Sequence, residues 1–211
     1  MLKLLPVTAL DQSFEALYAI YVESISPREQ KSKAGLAAMM SKPSYRLLLA
    51  QNNSHAIGFS IVFVASGKSF GLLEYVAVDK SYRGGGLGSE LFEATIGAMY
   101  RQHGAIPILI EVDSDRQPSP DQAERYRRQN FYRKLGCRRI VGCTYLLPLP
   151  GETEPPAMDL LVYVPEPAPT IRGADLQQWL QLVYQEVYGC SADDGRIAVM
   201  LKGVSDPVEL A

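Results

Sequence analysis

Apolar residues recur at the spacing of an amphipathic α-helix in five parts of the chain. In the first, Phe14 and Tyr21 lie on one stripe behind Asp11, a residue type that caps helix N-termini. In the last, Leu176 and Trp179 lie on a second stripe of the same period. The sequence therefore predicts helices over residues 11–24, 28–40, 86–103 and 121–135, and a fifth helix that begins near residue 175.

Shorter apolar runs between these helices predict β-strands. The run IPILIEV, at residues 106–112, is apolar nearly throughout, as expected for a strand covered on both faces. Two proline-rich segments, PLPGETEPPA and PEPAPT, separate the last elements. The predicted strands are residues 2–7, 45–51, 56–64, 70–78, 106–112, 139–147, 158–164 and 197–201. Strands and helices in this order predict a mixed fold of the α/β (α+β) class.

Composition narrows the classes of function. The 211-residue chain has a net charge of −2 and a pI of about 5.8, so no overall charge favours nucleic acid or an anionic membrane. Its apolar runs are shorter than the roughly 20 residues that cross a bilayer, and its first residues lack a signal-peptide pattern. The three cysteines, Cys137, Cys143 and Cys190, have no metal-ligand spacing. We expect a cytoplasmic protein without a metal site, a nucleic-acid partner or a membrane partner.

The stretch YRGGGLGSELF joins the strand FGLLEYVAV to a predicted helix and contains three consecutive glycines. Glycine loses more backbone freedom on folding than other residues, so three together indicate that something approaches the backbone closely. The free N–H groups of a first helical turn bind anions, and Arg83 adds a donor for phosphate. The loop lacks the Gly-Lys-Ser/Thr ending of a P-loop and the complete glycine pattern of a dinucleotide fold. The sequence thus predicts an anion site at this loop.

Two motifs resemble the GNAT superfamily of acyl-CoA-dependent N-acyltransferases. The first is Arg-x-x-Gly-x-Gly at Arg83, Gly86 and Gly88, directly after EYVAVD, and the second is NFYRKLGC at residues 130–137. The order of elements over residues 2–164 also matches that family. Arg125 and Arg128 depart from it, because an asparagine and an alanine often stand there, and this weakens any acceptor assignment taken from the family.

The resemblance implies a GNAT acyltransferase domain over residues 1–165 and a helical extension over residues 166–211. In that fold a mixed, largely antiparallel central sheet has helices on both faces, and its strands diverge at the acyl-CoA site. The extension is expected to pack on the domain or on a partner subunit, which leaves a homodimer open. The implied co-substrate is acetyl-CoA, with no metal, and the implied acceptor is a small-molecule or peptide amine.

The resemblance also implies which residues bind acetyl-CoA. Its pyrophosphate is expected at the glycine loop. The backbone N–H groups of residues 76–78 are expected to hold the pantetheine arm and to stabilise the oxyanion. The implied binding residues are Val76, Ala77, Val78, Arg83, Gly84, Gly85, Gly86, Leu87, Gly88 and Ser89.

An alkyl amine with a pKa of about 10.4 must lose a proton before it attacks, and Glu74 is the first candidate base. It is the charged residue of an apolar strand, and the strand period of two places it on one face with Val76. Exposure to solvent, or pairing with an arginine, is its structural alternative. Glu111 and Asp113, at the end of the IPILIEV strand, are rival bases.

Tyr132 is implied by the resemblance to be the acid that protonates the departing thiolate. Phe131 and Leu135, four residues apart, are predicted to pack inward and to turn Tyr132 toward the flank of its helix. A half-buried structural tyrosine is the alternative. A cysteine nucleophile would use a nearby histidine as its base. Neither Cys137 nor Cys143 has one nearby in sequence, so both are expected to be structural.

Seven basic residues within positions 125–139 could contact the CoA 3′-phosphate or an acidic substrate. A solvated helix face, compensated by nearby carboxylates, is the favoured interpretation. The compensating residues are Asp113, Asp115, Asp121 and Glu124.

The predicted activity is transfer of an acetyl group from acetyl-CoA to a primary amine, by direct attack of the amine on the thioester. Two alternatives stay open. One is an acyl-CoA-binding regulatory or structural module without turnover. The other is an acyltransferase that uses a longer acyl group or an acyl carrier protein as donor.

Overall fold

A computed structural model describes residues 2–65, 67, 70–148 and 158–211 of the chain. The chain divides into two compact units, Met1–Ile106 and Pro107–Ala211. The C-terminal segment 166–211 therefore belongs to the second unit, together with residues 107–165. Nearly all of the proline-rich segment PLPGETEPPA lies outside the described residues.

In its described residues, the first unit carries four antiparallel strands and three α-helices. Its elements are β1 Lys3–Pro6, α1 Gln12–Ser24, α2 Lys33–Met40, β2 Tyr45–Asn52, β3 His55–Val64, β4 Gly71–Val78 and α3 Leu87–His103. The strands pair in the order β1-β2-β3-β4. This arrangement follows the predicted elements closely.

Helices α1 and α3 cover opposite faces of these strands. The ring of Tyr21 in α1 lies 5.8 Å, centroid to centroid, from Phe59 in β3. The Thr95 hydroxyl in α3 lies 2.8 Å from the Ser60 hydroxyl, one residue further along β3. Because neighbouring residues of a strand point to opposite faces, the two helices lie on opposite sides of the sheet.

The first two helices differ in how well they were predicted. The Asp11 carboxylate accepts the Ser13 N–H at 2.9 Å and begins α1, as the sequence predicts. The predicted helix over 28–40 is wrong in its first part, where Pro27–Glu29 form a single 3₁₀ turn. The Ser32 hydroxyl accepts the Gly35 N–H at 3.1 Å, so it caps α2 and starts a separate helix at Lys33.

The second unit contains a three-stranded antiparallel group and the C-terminal helices. Its elements are β5 Ile108–Asp113, α4 Gln122–Lys134, β6 Arg138–Arg139, β7 Met158–Tyr163, α5 Gly173–Leu182, a π-helical turn Val183–Val187 and α6 Gly195–Leu201. Strand β7 pairs with both β5 and β6. Ala211 exchanges two backbone hydrogen bonds with Arg139, at 2.7 and 2.9 Å, so the end of the chain is fixed beside β6.

The predicted strand over 139–147 is wrong beyond its first residue. Only isolated bridges at Ile140 and Tyr145 follow β6. Gly142 has φ of +78°, and a Cβ built on it would lie 1.8 Å from the Gly203 carbonyl oxygen. The approach of these two backbone segments turns the chain out of the strand.

The predicted strand over 197–201 is also wrong, because these residues form most of helix α6. The Asp194 carboxylate accepts the Arg196 N–H at 3.0 Å and caps the helix. Ile197 and Met200, three residues apart, are its buried side chains. An apolar run this short fits the period of a helix as well as that of a strand. The capping residue, Asp194, is what identifies it as a helix.

The mixed α/β class predicted from the sequence is confirmed. The described residues form seven strands, mostly antiparallel, with helices around them. None of the helices in the described ranges has both the length and the apolar character needed to cross a membrane.

Candidate active site

The loop between β4 and α3 is exposed, and its backbone angles require glycine. Gly84 has φ of +94° and Gly86 has φ of +82°, a region that residues with a Cβ rarely adopt. The φ of Gly85 is not positive. A Cβ built on any of the three meets no atom within 4 Å. The glycines therefore leave open space beside the backbone.

The first turn of α3 presents unpaired N–H groups to that space. The Ser89 and Glu90 amides both donate to the Gly86 carbonyl, at 3.0 and 3.2 Å. Among the described residues, the amides of Leu87 and Gly88 have no acceptor. The helix dipole adds about half a positive charge at this end. Fixed donors, positive potential and open space together fit a diphosphate.

Arg83 fixes the loop to the end of β4. Its Nε donates to the Val78 carbonyl at 2.9 Å, and its Nη2 donates to the Ser24 hydroxyl at 3.4 Å. Two of its three nitrogens are thus used within the chain, and Nη1 is left for a phosphate oxygen.

The second half of β4 is more accessible than the first. Residues 71–73 are buried, whereas residues 75–78 are half-buried. Tyr75 lies opposite Ile61 and Leu73 lies opposite Val62, so Glu74 is the extra residue of a β-bulge. Bulges re-aim side chains and interrupt the ladder locally. This one lies directly before the predicted binding residues 76–78.

The bulge places Glu74 on the opposite face from Val76. Val76 packs against Leu91 of α3 and its neighbours. The Glu74 carboxylate lies 3.2 Å from Lys31 Nζ, and its charge acts on Tyr21 of α1. The prediction that Glu74 and Val76 share one face is therefore wrong, because the bulge breaks the period of two.

Glu74 is a buried carboxylate with a cationic partner. Its side chain is only 2% exposed. Burial raises the pKa of this carboxyl, while the Lys31 charge and the neighbouring Tyr45 and Tyr75 hydroxyls lower it, and the net change is upward. Pairing with an arginine was the structural alternative expected for Glu74. In the structure the cationic partner is a lysine, Lys31. A raised pKa brings the carboxylate closer to the basicity that suits proton transfer at neutral pH.

Glu111, the first rival base, is held by two phenols. The hydroxyls of Tyr145 and Tyr188 donate to its two carboxylate oxygens. Burial and the Glu111 charge raise the pKa of Tyr145, which keeps that phenol protonated as a donor. Tyr188 follows the π-helical turn at Val183–Val187, an irregularity often found at functional sites. The C-terminal extension thus supplies one of the two donors.

Acidic residues around α4 form ion pairs with three of its five basic residues, in agreement with the favoured interpretation. The ion pairs are Arg125–Asp121 at 2.9 Å, Arg128–Asp113 at 2.7 Å, Arg128–Glu124 at 3.2 Å and Arg133–Asp115 at 2.9 Å. Asp113, the second rival base, is therefore engaged with Arg128, and Glu111 is the stronger rival.

Tyr132 is the inward-facing residue of its motif. It is 7% exposed, and its ring meets that of Phe131 edge-on at 5.1 Å. Phe131 and Leu135 are only half-buried, so the prediction that these two pack inward and turn Tyr132 toward the flank of its helix is wrong. Burial, reinforced by Cys137, raises the pKa of Tyr132. The phenol therefore stays protonated and can act as a proton donor.

The two buried cysteines are unsuited to nucleophilic attack. Burial raises the pKa of Cys137 and of Cys143 to about 12 in each case. A thiol with so high a pKa is neutral at physiological pH, whereas the thiolate is the nucleophile. No group of His, Cys, Asp and Glu side chains within the described ranges could hold a metal ion.

The residues predicted to form the site are divided between the two units. Glu74, residues 76–78 and the glycine loop belong to the first unit, and Glu111 and Tyr132 belong to the second. Sequence reasoning missed Lys31 and Tyr188. Their partners are distant along the chain, 77 residues in the case of Tyr188 and Glu111. No local pattern points to such a pair.

Residues 43–139 match the family model described as an acetyltransferase (GNAT) domain. No curated protein matches the chain. Solved structures match it over most of its length, at identities that establish the fold alone.

Three solved structures illustrate the likeness. One, described as a GNAT-family acetyltransferase from Bacteroides thetaiotaomicron, has 21% identity and a TM-score of 0.72, covering 90% of this chain and 99% of that chain. A GNAT acetyltransferase from Elizabethkingia anophelis with acetyl-CoA bound has 19% identity and a TM-score of 0.57, covering 78% and 98%. The ribosomal-protein-S18-alanine N-acetyltransferase from Escherichia coli has 19% identity and a TM-score of 0.55, covering 77% and 92%. The first match must include part of segment 166–211, because residues 1–165 alone fall short of 90% of this chain.

Proposed function

We propose that the chain, whose residues 43–139 match the acetyltransferase (GNAT) domain model, moves an acetyl group from acetyl-CoA to a primary amine. The observation that carries this proposal is the glycine loop. There, open space lies beside residues 84–86, and the backbone amides at the N-terminus of α3 are unpaired. Fixed N–H donors and the helix dipole both favour the diphosphate of the CoA moiety.

Two neighbouring features support the same ligand. The Nη1 group of Arg83 is available to a phosphate oxygen, while its other nitrogens hold the loop against β4. The second half of β4 is half-buried, and its backbone at residues 76–78 is the proposed contact of the pantetheine arm. The bulge at Glu74 interrupts the strand directly before them.

Glu74 is proposed as the base. With a pKa of about 10.4, only about one acceptor amine in 10³ is uncharged at neutral pH. As the new N–C bond forms, the amine proton passes to the Glu74 carboxylate, directly or through a water molecule. Burial makes this carboxylate more basic than an exposed one, and the Lys31 ammonium favours its ionised form and opposes that rise in pKa. Lys31 is therefore a positioning residue.

Tyr132 is proposed as the acid. The C–S bond breaks as the amide forms, and the sulfur takes a proton from the Tyr132 hydroxyl. The raised pKa of Tyr132 means that the phenol is protonated when the reaction begins, and it also makes the phenol a weaker acid than an exposed tyrosine. Glu111, held by Tyr145 and Tyr188, remains the alternative base.

A binding module without turnover is the second candidate, and one observation favours it. Glu74 already has an ammonium partner 3.2 Å away, and its side chain is nearly inaccessible. If Lys31 never yields its place to an acceptor amine, the protein would bind acetyl-CoA without transferring the acetyl group.

Thiol release separates the two candidates. Purified protein is mixed with acetyl-CoA and, in turn, with polyamines, amino acids, aminoglycosides and peptides with free N-termini. An N-acetyltransferase gives free thiol only when an accepted amine is present, together with an equal amount of acetylated amine by mass spectrometry. Retention of acetyl-CoA without amine-dependent thiol release across the panel would favour the binding module. Longer acyl-CoA donors and an acylated carrier protein are then tested in the same way.

We place this reaction in the cytoplasm. The cysteines of the chain are free thiols, as expected in a reducing compartment.

A further inference from the structure

A cavity lies in the first unit, beside the C-terminal end of α3. It has a volume of about 580 Å³, within the range of about 300–1,000 Å³ that is typical of small-molecule pockets. Its walls come from β1, the end of α2, the start of β2 and the last turns of α3. None of these elements contains the glycine loop.

Three cations converge on this cavity. Lys42, Arg46 and Arg101 line it, and no acidic side chain is among its described lining residues. None of the three forms an ion pair with a carboxylate in the part of the chain that the structure describes. The negative end of the α3 dipole amounts to about half a charge, which one cation would offset. Three cations leave a clear excess of positive charge at the cavity.

The central cation is held in place by the fold. The Nε of Arg46 donates to the Gln102 side chain at 3.0 Å. Its Nη1 donates to the carbonyls of Pro43 and Tyr45, both at 2.7 Å. The Nη2 group has no acceptor among the described residues. A guanidinium fixed in this way needs little further ordering to receive an anionic group.

The rest of the wall carries three polar side chains, Thr8, Ser41 and Gln102, and a larger number of apolar ones. Leu4, Val7, Leu48, Met40 and Met99 line the cavity. A bare inorganic anion would gain nothing from these side chains, and an uncharged apolar molecule would gain nothing from the three cations.

We propose that this cavity binds a small organic anion with an apolar body, of the medium-chain carboxylate class. The carboxylate pairs with Arg46, Lys42 and Arg101, and the chain lies against the leucine and methionine side chains. The 17 residues of α3 separate its two ends by about 25 Å at 1.5 Å per residue. The ligand therefore binds without displacing a diphosphate from the glycine loop.

The test compares three amphiphiles that differ only in their head groups. Octanoate, octan-1-ol and octylammonium are titrated into the full-length protein by isothermal calorimetry. The same titrations are made on Lys42→Gln/Arg101→Gln, which removes two exposed cations from the cavity. Arg127→Gln/Lys202→Gln is the matched control, because it removes two exposed cations from the second unit.

We expect octanoate to bind at one site per chain, and the two other amphiphiles to bind at least about tenfold more weakly. The Lys42→Gln/Arg101→Gln variant should lose at least about tenfold in octanoate affinity, and the control variant should not change. Equal binding of octan-1-ol, no saturable octanoate binding, or an unchanged affinity in the cavity variant would each overturn the proposal. So would displacement of acetyl-CoA by octanoate, since that places octanoate at the glycine loop.

Discussion

The Lys31 ammonium lies 3.2 Å from the carboxylate of Glu74, whose side chain is 2% exposed. A carboxylate so deeply buried would take up a proton at a higher pH than an exposed one, and the lysine opposes this. The pair thus sets the protonation state of the proposed base. It also explains how a charged residue is accommodated in an otherwise apolar strand.

Replacing Lys31 by methionine should move the acidic limb of the pH–rate profile to higher pH. The Lys31 charge lowers the pKa of Glu74, so its loss lets burial raise that pKa further. Activity should recover at high pH, and Lys31→Arg should retain the wild-type profile. Lys33→Met is the control, because Lys33 forms an exposed pair with Glu15 at 2.7 Å. An acidic limb that stays in place in Lys31→Met would remove Lys31 from the mechanism.

Replacing Glu74 by glutamine should lower turnover by roughly 10²- to 10⁴-fold, as expected for a lost base. The loss should shrink at high pH, where more of the amine is already uncharged. A wild-type pH–rate profile in this variant would transfer the role to Glu111 or to water.

The same substitution should change how stability depends on pH. The pKa of Glu74 is raised above its ordinary value of 4.5. Its contribution to stability is therefore present below pH 4.5 and is lost as the pH rises through the folded-state pKa. Glutamine does not titrate, so Tm of the variant relative to wild type should rise with pH in thermal melts. A difference in Tm that does not change with pH would contradict the raised pKa.

Replacing Tyr132 by phenylalanine should lower turnover by about 10²-fold, in the range of a lost acid. Ring packing is kept, so acetyl-CoA affinity should barely change. The loss should be smaller for a donor whose thiol is a better leaving group, because that sulfur needs less help from a proton. Tyr126→Phe, on an exposed residue of the same helix, is the control. Equal impairment with both donors would assign Tyr132 to positioning of the thioester.

Replacing Tyr188 by phenylalanine should affect stability more than chemistry. It removes one of two donors to the Glu111 carboxylate, and a hydrogen bond to a charged group contributes about 1.5–3 kcal/mol. Urea denaturation should show a loss of this size, with Tyr82→Phe as the exposed control. Turnover of the folded variant should stay well short of the roughly 10²-fold loss of an acid–base group. A loss of that size would move the base from Glu74 to Glu111.

The glycine loop was predictable because everything that defines it is local. The strand, the three glycines and the helix N-terminus are contiguous, and the cap of α1 by Asp11 is equally local. The side of the sheet on which Glu74 lies was not predictable. A β-bulge depends on the register between two paired strands, and the sequence of neither strand alone shows it. Helix α6 was mistaken for a strand because its apolar run is too short to show a period.

Contacts distant in sequence account for the remaining differences. Gly142 leaves the predicted strand because it packs against Gly203, at the other end of the second unit. The pair of Lys31 and Glu74 joins a loop to a strand that is far away in the chain. Such relationships arise from packing, and hydrophobic periodicity carries no information about them.

The central claim, that the glycine loop binds the diphosphate of acetyl-CoA, is tested most directly by Gly85→Glu. Gly85 has an ordinary φ, and a Cβ there meets no atom within 4 Å, so the substitution adds a negative charge without straining the backbone. Gly195→Glu is the matched control, because Gly195 also has open space and begins a helix in the second unit. Isothermal calorimetry should show at least a tenfold loss of acetyl-CoA affinity in Gly85→Glu, about 1.4 kcal/mol, and no loss in Gly195→Glu. Unchanged affinity in a Gly85→Glu protein with a native circular dichroism spectrum would contradict the claim.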